Sequence, residues 1–334
     1  MTDYKTIHGK KIKFQTSDLT MSTATEGELF YSDSGKNFKV GVNVKAWASG
    51  GNLNTGRVSG GGSGTQTAAL YASGQIPPGP GTADSEEYNG TAWTEGSNVN
   101  AGRYEIGGTT AGTQTAGLIF GGNTAPGWNG TTATEEYNGT SWSNGEAMAT
   151  TVSFLGGSGI QTAAFSGGGR TPSNTNNSQE YDGTDWSNGN NINTSRQASA
   201  GVGTQTAGMI AGGEAPGGGT NATETYDGTN WTSAPNLGTA RYRLSGSGQV
   251  YTASVVFGGR FNPPAADKAQ TESFDGTSWT EEGDMSTTRQ QLSGNRGTSS
   301  AALGAGGYVT GGGGTTTATE EFSASTTLKT VTDS

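Results

Sequence analysis

The chain has 334 residues with 60 Gly, no Cys and 1 His, and only 29% of its residues are hydrophobic. Without cysteine it has no thiolate nucleophile, zinc–thiolate site or iron–sulfur ligand, and His8 alone cannot form a multi-histidine metal site or place a Ser-His-Asp triad outside the N-terminal arm. The net charge of −10 is small for this length, so an ordered core is possible if repetition organises the few apolar residues.

Charge is distributed unevenly along the chain. Residues 1–45 carry seven Lys and five acidic residues, a net of +2, and the remainder carries a net of −12. An acidic body disfavours nucleic acid as a partner. The lysines form a docking surface, or else they belong to a solvated arm or protect an edge strand. The first residues contain no signal-like apolar run and no later stretch approaches 18 apolar residues, so we expect no signal peptide and no membrane insertion.

A hairpin is predicted near the N-terminus. In EGELFYSDSGKNFKVGV, Leu29, Phe30 and Tyr31 precede a DSG turn, and Phe38 and Val40 follow it. We therefore expect residues 1–40 to form a short arm that contains a β-hairpin.

From residue 47 onward a tryptophan recurs every 44 to 49 residues: Trp47, Trp93, Trp142, Trp186, Trp231 and Trp279. Five residues before most of them lies an aromatic residue followed by Asn-Gly or Asp-Gly: Tyr88, Tyr137, Tyr181, Tyr226 and Phe274. These dipeptides between aromatic strands predict a tight hairpin with a type I′ turn in each repeat.

Two further features keep the same register. An arginine follows each tryptophan by ten residues at Arg57, Arg103, Arg196, Arg241 and Arg289, and Val152 replaces it once. A short apolar strand then ends in paired glycines at 121–122, 168–169, 212–213, 258–259 and 306–307, with Ser73 and Gly74 in the first copy. Each repeat therefore contains about four short strands.

Four antiparallel strands in a repeat of about 45 residues are typical of a β-propeller blade. Paired glycines, Tyr, Trp and Arg in this order resemble the kelch repeat over residues 47–322. The resemblance implies an all-β propeller of six or seven blades that binds proteins or ligands. The repeats depart from the kelch pattern in the two-residue turn, the first glycine pair and the very small strand residues.

The repeat count favours six blades, but the aromatic residues at the Tyr position are offset by one repeat. Phe322 has no tryptophan after it, and Trp47 has Val42 in place of an aromatic residue five positions earlier. We predict a six-bladed kelch-like propeller over residues 41–325, closed by pairing of a strand near 43–49 with one near 317–323. Residues 326–334 are expected to form a tail.

A glutamate lies two residues before each Tyr or Phe, except that Gln179 occupies this position in the repeat that lacks the arginine. An unpaired buried carboxylate is costly, so this coincidence predicts salt bridges within blades. The pairs are Arg57 with Glu86, Arg103 with Glu135, Arg196 with Glu224, Arg241 with Glu272, and Arg289 with Glu320. The alternative is a ring of carboxylates that binds a metal or a sugar.

The GELFYSDSGKNFKV hairpin and the EEYNGTSW-like units resemble segments of virion proteins, including tail fibres, of bacteriophages such as marine phages. This resemblance implies a non-enzymatic virion protein without a cofactor. Its arm would bind other virion proteins, its propeller would bind a host-surface glycan or protein, and homo-oligomers are possible. The alternatives are an arm that only caps the propeller, a cellular kelch interaction scaffold, and a carbohydrate-binding or carbohydrate-active propeller.

The loops between the second and third strands differ most between repeats, which makes their face the expected binding face. Trp128, outside the periodic tryptophans, lies in one of these loops, and four residues come from the others: Arg170, Arg260, Phe261 and Tyr308. Aromatic and arginine side chains suit sugar stacking or protein anchoring. The alternative is that Trp128 folds back over its own blade.

Overall fold

The computed structural model describes residues 13–15, 29–262, 264–294, 297–311 and 313–331. The chain divides into two compact units, residues 1–46 with 323–334 and residues 47–322. His8 and most of the predicted arm lie outside the described residues. Within the described part no helix is long and apolar enough to cross a membrane.

The strands follow one another in sheets that repeat along the chain. The first three are β1 (Lys13–Gln15), β2 (Leu29–Ser32) and β3 (Asn37–Ser49). Sheet 1 contains β4 (Gly61–Thr65), β5 (Ala68–Ala72), β6 (Ser85–Tyr88) and β7 (Trp93–Glu95). Sheet 2 contains β8 (Gly107–Gly108), β9 (Gly117–Phe120), β10 (Thr134–Tyr137) and β11 (Trp142–Gly145). Sheet 3 contains β12 (Gly156–Ile160), β13 (Ala163–Gly167), β14 (Ser178–Tyr181) and β15 (Trp186–Gly189).

Later sheets carry small ribbons in their loops. The next strands are β16 (Ala200–Thr204), β17 (Ala207–Ala211), β18 (Glu214–Ala215), β19 (Gly218–Gly219), β20 (Thr223–Tyr226) and β21 (Trp231–Ala234); sheet 4 omits the ribbon β18–β19. Then come β22 (Ser245–Ser247), a 3₁₀ turn (Tyr251–Ala253), β23 (Ser254–Phe257), β24 (Arg260–Phe261), β25 (Ala266–Asp267), β26 (Thr271–Phe274) and β27 (Trp279–Glu281); sheet 5 omits the ribbon β24–β25. Sheet 6 contains β28 (Ala301–Ala305) and part of β31 (Thr319–Thr330), between which lies the ribbon β29 (Tyr308–Val309) and β30 (Gly314–Thr315).

In the smaller unit, β2 and β3 form an antiparallel hairpin around the turn at residues 33–36. Leu29 pairs with Val40 and Tyr31 with Phe38, whose rings meet edge to face at 5.3 Å. Strand β1 runs parallel to β2. The far end of β31 belongs to this unit too, where the Val331 amide donates to the Phe38 carbonyl at 2.8 Å.

In the larger unit each sheet packs on the next through a separate apolar cluster. Phe120 of sheet 2 lies 4.9 Å from Trp186 of sheet 3, and Phe165 of sheet 3 lies 5.7 Å from Trp231 of sheet 4. The described residues form six such clusters, and one of them joins Leu303 of sheet 6 to Tyr71 of sheet 1. The sheets therefore close into a ring, as in a β-propeller, and the count of six blades stays a prediction.

The two ends of the larger unit meet in sheet 6. Strand β3 lies beside β31, and the Gly50 amide donates to the Thr319 carbonyl at 2.9 Å. The rings of Trp47 and Phe322 lie 5.2 Å apart, close to the 5.0 Å between Tyr88 and Trp93 of sheet 1. The sixth aromatic pair is thus supplied by both ends of the repeat array.

Glycine near the axis is required by backbone packing. A Cβ atom on Gly62 would lie 1.9 Å from the Gly294 carbonyl oxygen, and one on Gly294 would lie 2.1 Å from that of Gly246. The innermost strands thus approach backbone to backbone, and the apolar residues are concentrated between sheets. This division explains how a chain with few apolar residues builds an ordered core.

The predicted type I′ turns are wrong. Paired residues Tyr88 and Trp93 enclose a loop of four residues, in which Gly90 has a positive φ of 88° but Asn89 does not. The Asn89 side chain stabilises the loop instead, because its Oδ1 accepts the amides of Thr91 and Ala92 at 3.0 Å. The same arrangement recurs with aspartate at Asp182, Asp227 and Asp275.

Candidate functional site

The repeated Arg–Glu pairs lie inside the sheets. The nitrogen–oxygen distances are 2.5 Å for Arg57–Glu86, 2.9 Å for Arg103–Glu135 and Arg196–Glu224, 2.7 Å for Arg241–Glu272, and 2.6 Å for Arg289–Glu320. All ten side chains are at most 3% exposed. A ligand cannot reach these carboxylates, so their geometry supports a structural role and not a carboxylate ring that binds a metal or a sugar.

Sheet 3 has uncharged residues at the positions of the Arg–Glu pair. Val152 is buried where the arginine would lie, and the Gln179 amide both accepts from the Thr150 amide at 3.1 Å and donates to the Thr150 carbonyl at 3.3 Å. In the charged sheets the glutamate accepts backbone amides at the equivalent place, as Glu86 does from Asn54 at 2.7 Å. Within the described residues no cluster of three His, Cys, Asp or Glu side chains is placed to hold a metal.

A ring of six residues surrounds the axis where the chain approaches each innermost strand. They lie two residues after each Arg or Val position, and their φ angles are 52° to 58°: Ser59, Glu105, Phe154, Ala198, Arg243 and Gln291. Each backbone amide donates to the carbonyl of its counterpart in the preceding sheet at 2.7 to 2.9 Å, and Ser59 donates to Gln291. The six hydrogen bonds form a closed circle. We call these residues the axial ring.

The axial ring lies at the mouth of a channel. Its side chains line a cavity of about 90 Å³, and a cavity of about 100 Å³ lies below it, walled largely by the glycines of the innermost strands. Thr110 lines the lower cavity, where its hydroxyl contacts the Ser158 hydroxyl at 2.5 Å and the Gly201 carbonyl at 3.3 Å.

Two charged side chains of the axial ring are held by neighbours. The Glu105 carboxylate accepts a hydrogen bond from the Asn123 side-chain amide, and burial raises the pKa of Glu105 to about 7 although Asn123, Arg243 and Arg170 act in the opposite direction. Arg243 donates to Gln290 Oε1 at 3.3 Å, and its guanidinium carbon lies 5.5 Å from the Phe154 ring centroid. Near neutral pH, Glu105 can therefore gain or lose a proton.

A larger groove of about 480 Å³ adjoins the axial ring. We call it the loop-face groove, and its lining includes Tyr242, Arg243, Arg260, Gln290, Tyr308 and Thr310. Arg260 donates to Asp267 Oδ1 at 3.2 Å and to the Thr310 hydroxyl at 2.9 Å, so its guanidinium is held in place. Gln290 also donates to Asp267, at 3.1 Å. The loop-face groove thus presents two oriented guanidinium groups beside two tyrosine rings.

The five residues predicted for binding do not form one patch. Arg260 and Tyr308 line the loop-face groove, whereas Phe261 lies on the same ribbon with the Lys268 ammonium 5.5 Å from its ring. The Arg170 guanidinium donates to the Pro172 carbonyl at 2.6 Å. Trp128 is 38% exposed in the loop of sheet 2, and sheets 2 and 5 lie on opposite sides of the axial ring. Their separation follows from the order of the sheets.

Sequence reasoning missed the axial ring. The sequence feature that marks it is the position two residues after each Arg or Val. This position differs in every repeat, as Ser, Glu, Phe, Ala, Arg and Gln, whereas the Trp, Arg and paired glycines around it recur. Sequence alone placed this position at the start of a strand. The positive φ and the shared circle of hydrogen bonds reveal its role.

No protein-family model and no curated protein matches this sequence. The fold resembles that of YjhT, whose solved structure superposes with a TM-score of 0.65 at 13% sequence identity. The match covers 83% of this chain and 99% of the YjhT chain. At this identity the likeness shows a shared β-propeller-type fold.

Proposed function

We propose that the protein is a non-enzymatic virion protein, a tail-fibre or particle-surface component that binds a host-surface ligand through its propeller loops. The observation that carries this proposal is the loop-face groove, in which Arg243 and Arg260 lie beside Tyr242 and Tyr308. A concave site with a few oriented polar groups and aromatic walls is the usual form of a ligand site.

The chemistry of the groove favours an anionic glycan. Guanidinium groups bind carboxylate and sulfate through paired hydrogen bonds, and tyrosine rings pack against the apolar faces of sugars. The body of the chain outside residues 1–45 has a net charge of −12, so two arginines in one groove are a local exception. The Arg260 guanidinium is paired with Asp267, so an anionic group of the ligand would bind through the donors that this salt bridge leaves open.

The N-terminal arm supports the placement on a virion. Its β2–β3 hairpin belongs to a compact unit separate from the repeats, and its sequence resembles segments of bacteriophage virion proteins. In this proposal the arm binds other virion proteins while the propeller is displayed, and homo-oligomers form on the particle. A side-chain-resolution map of the purified particle tests this placement. Density for the arm against another virion protein supports it, and absence of the chain from the particle contradicts it.

Ligand binding is tested with the purified chain on a panel of neutral, carboxylated and sulfated glycans. We expect binding to the anionic glycans that weakens with added salt, because the guanidinium groups carry it. Arg260→Gln should weaken binding roughly tenfold or more, since it removes a charge-assisted contact. Thr184→Ala, in an exposed turn at the opposite ends of the sheets, is the matched control. Equal binding of neutral and anionic glycans contradicts the proposal.

A second candidate, a carbohydrate-active propeller, is favoured by Glu105. A half-buried carboxyl group with a pKa of about 7 has the properties of a general acid or base. The same glycan panel tests this candidate when products are followed by nuclear magnetic resonance. Conversion of a glycan by the wild-type chain that is lost in Glu105→Gln would favour an enzyme over an attachment protein.

A further inference from the structure

We propose that the axial ring binds a small zwitterion of the amino-acid class, with its ammonium group toward Glu105 and its carboxylate toward Arg243. This site lies at the mouth of the channel, and the inference goes beyond the glycan-binding role proposed for the loop-face groove. The two sites share Arg243 and Gln291 but differ in Glu105 and Phe154, which line only the mouth.

The backbone of the axial ring indicates that its side chains are needed. All six residues adopt positive φ angles, which cost free energy for any residue other than glycine. Among the described residues, the other positive-φ positions are 24 glycines with Lys36 and Ser73, yet every position of the axial ring carries a side chain. The six side chains are all different although their backbones are equivalent. This variety gives the channel mouth an acidic, a basic and an apolar side.

The charges of the axial ring are arranged across the channel mouth. Following the circle of hydrogen bonds from Ser59, Glu105 comes second and Arg243 fifth, so the acidic and basic positions are diametrically opposite. Ala198, between Phe154 and Arg243, has too small a side chain to separate them, and the Arg243 guanidinium reaches to 5.5 Å from the Phe154 ring. The mouth thus offers an acceptor on one side, a donor on the other and an apolar wall between them.

Both charged groups are positioned by residues outside the axial ring. Asn123 donates to the Glu105 carboxylate, and Gln290 accepts from Arg243. These contacts use one side of each group and leave the carboxylate with further acceptor capacity and the guanidinium with further donors. On the ring itself, Gln291 donates to the Ser59 hydroxyl at 2.8 Å, which completes the polar rim.

The size of the site restricts the ligand. The cavity at the mouth has a volume of about 90 Å³. A small amino acid fits this space, and only a molecule with both charges can satisfy Glu105 and Arg243 together. A ligand with one charge would form only one of these two charge-assisted contacts and would therefore bind more weakly.

The experiment measures binding of glycine, β-alanine and γ-aminobutyrate to the full chain by titration calorimetry. These probes separate the ammonium from the carboxylate by increasing distances. Ethylamine and propionate are the single-charge controls. We expect at least one zwitterion to bind at least roughly tenfold more tightly than either control, because each lost charge-assisted contact weakens binding by about that factor.

Two variants test which residue binds the ammonium group of the ligand and which binds its carboxylate. Glu105→Gln should weaken zwitterion binding roughly tenfold or more while leaving propionate binding unchanged, and Arg243→Gln should weaken both. Arg260→Gln, which alters only the loop-face groove, should leave zwitterion binding intact, so failure of the glycan proposal and failure of this one are distinguishable. A folded wild-type chain that binds none of the three zwitterions overturns the inference. So does binding that survives both Glu105→Gln and Arg243→Gln.

Discussion

The Tyr137 hydroxyl of sheet 2 donates to Glu87 Oε1 of sheet 1 at 2.5 Å. The same contact joins other neighbouring sheets, through Tyr88 to Glu321, Tyr181 to Glu136 and Tyr226 to Glu180. Where the ring is Phe274 or Phe322, which cannot donate, the preceding sheet has Thr225 or Ser273 at the acceptor position. The second residue of the EEY motif therefore joins sheets, while the first residue pairs within its own sheet.

This covariation predicts a measurable coupling. Tyr137→Phe should destabilise the protein by about 1 kcal/mol, because it removes one hydrogen bond and leaves Glu87 without that donor. Adding Glu87→Thr recreates the natural Thr225–Phe274 combination and should cost less than the sum of the two single changes. Urea unfolding of the four proteins gives the coupling energy. Strict additivity within about 0.3 kcal/mol would show that the contact contributes nothing to the interface.

The buried salt bridges predict a second double-mutant result. Arg196→Val should cost about 3 to 5 kcal/mol, since it leaves Glu224 buried without its cation. Adding Glu224→Gln reproduces the Val152–Gln179 pair of sheet 3, in which the amide bonds to the Thr150 backbone. We expect the double variant to recover part of this loss in thermal unfolding. A double variant less stable than Arg196→Val would contradict this explanation of Gln179.

The raised pKa of Glu105 predicts that the stability of the protein depends on pH. Its pKa in the folded protein is about 7, above the ordinary value of 4.5, so the folded state binds more protons than the unfolded state between these values. Its contribution to stability therefore decreases as the pH rises from about 4.5 to 7. Glu105→Gln should remove this dependence and raise stability at pH 8 by about 1 kcal/mol, allowing for partial exposure. Identical pH profiles of unfolding for both proteins would contradict this assignment.

Trp128 offers a separate test of the loop in sheet 2. Its side chain is exposed, so under the proposed attachment role Trp128→Ala should leave folding and particle incorporation intact while reducing attachment to the target cell. Adsorption of particles that carry the variant measures the effect. Normal adsorption by a Trp128→Ala, Phe261→Ala variant would remove both aromatics from the binding site.

Much of the fold could be predicted because it depends on repetition. Trp93, Tyr88 and Arg57 recur with their counterparts at regular spacing, and this spacing predicts the strands and the interfaces between sheets. The joint replacement of Arg by Val152 and of Glu by Gln179 predicts the Arg–Glu salt bridge of the other sheets. The β-propeller class is confirmed by the sheets and by the likeness to YjhT.

The rest depends on geometry that has no period in the sequence. Asn-Gly favours a two-residue turn locally, but the pairing of Tyr88 with Trp93 imposes a four-residue loop. The order of the sheets around the axis separates Trp128 from Arg260, which loop sequences alone cannot reveal. The axial ring residues differ in every repeat, and a position that differs in every repeat resembles one in an unconstrained loop. Only the shared positive φ angles distinguish the two cases.

The most direct test of the proposed attachment role is competition between the purified chain and particles for adsorption to the target cell. Wild-type protein should inhibit adsorption, an Arg260→Gln, Tyr308→Ala variant should require roughly tenfold or more protein for the same inhibition, and a Thr184→Ala, Thr229→Ala variant in the turns should match wild type. Equal inhibition by wild type and by the groove variant, with both proteins folded, would contradict the account.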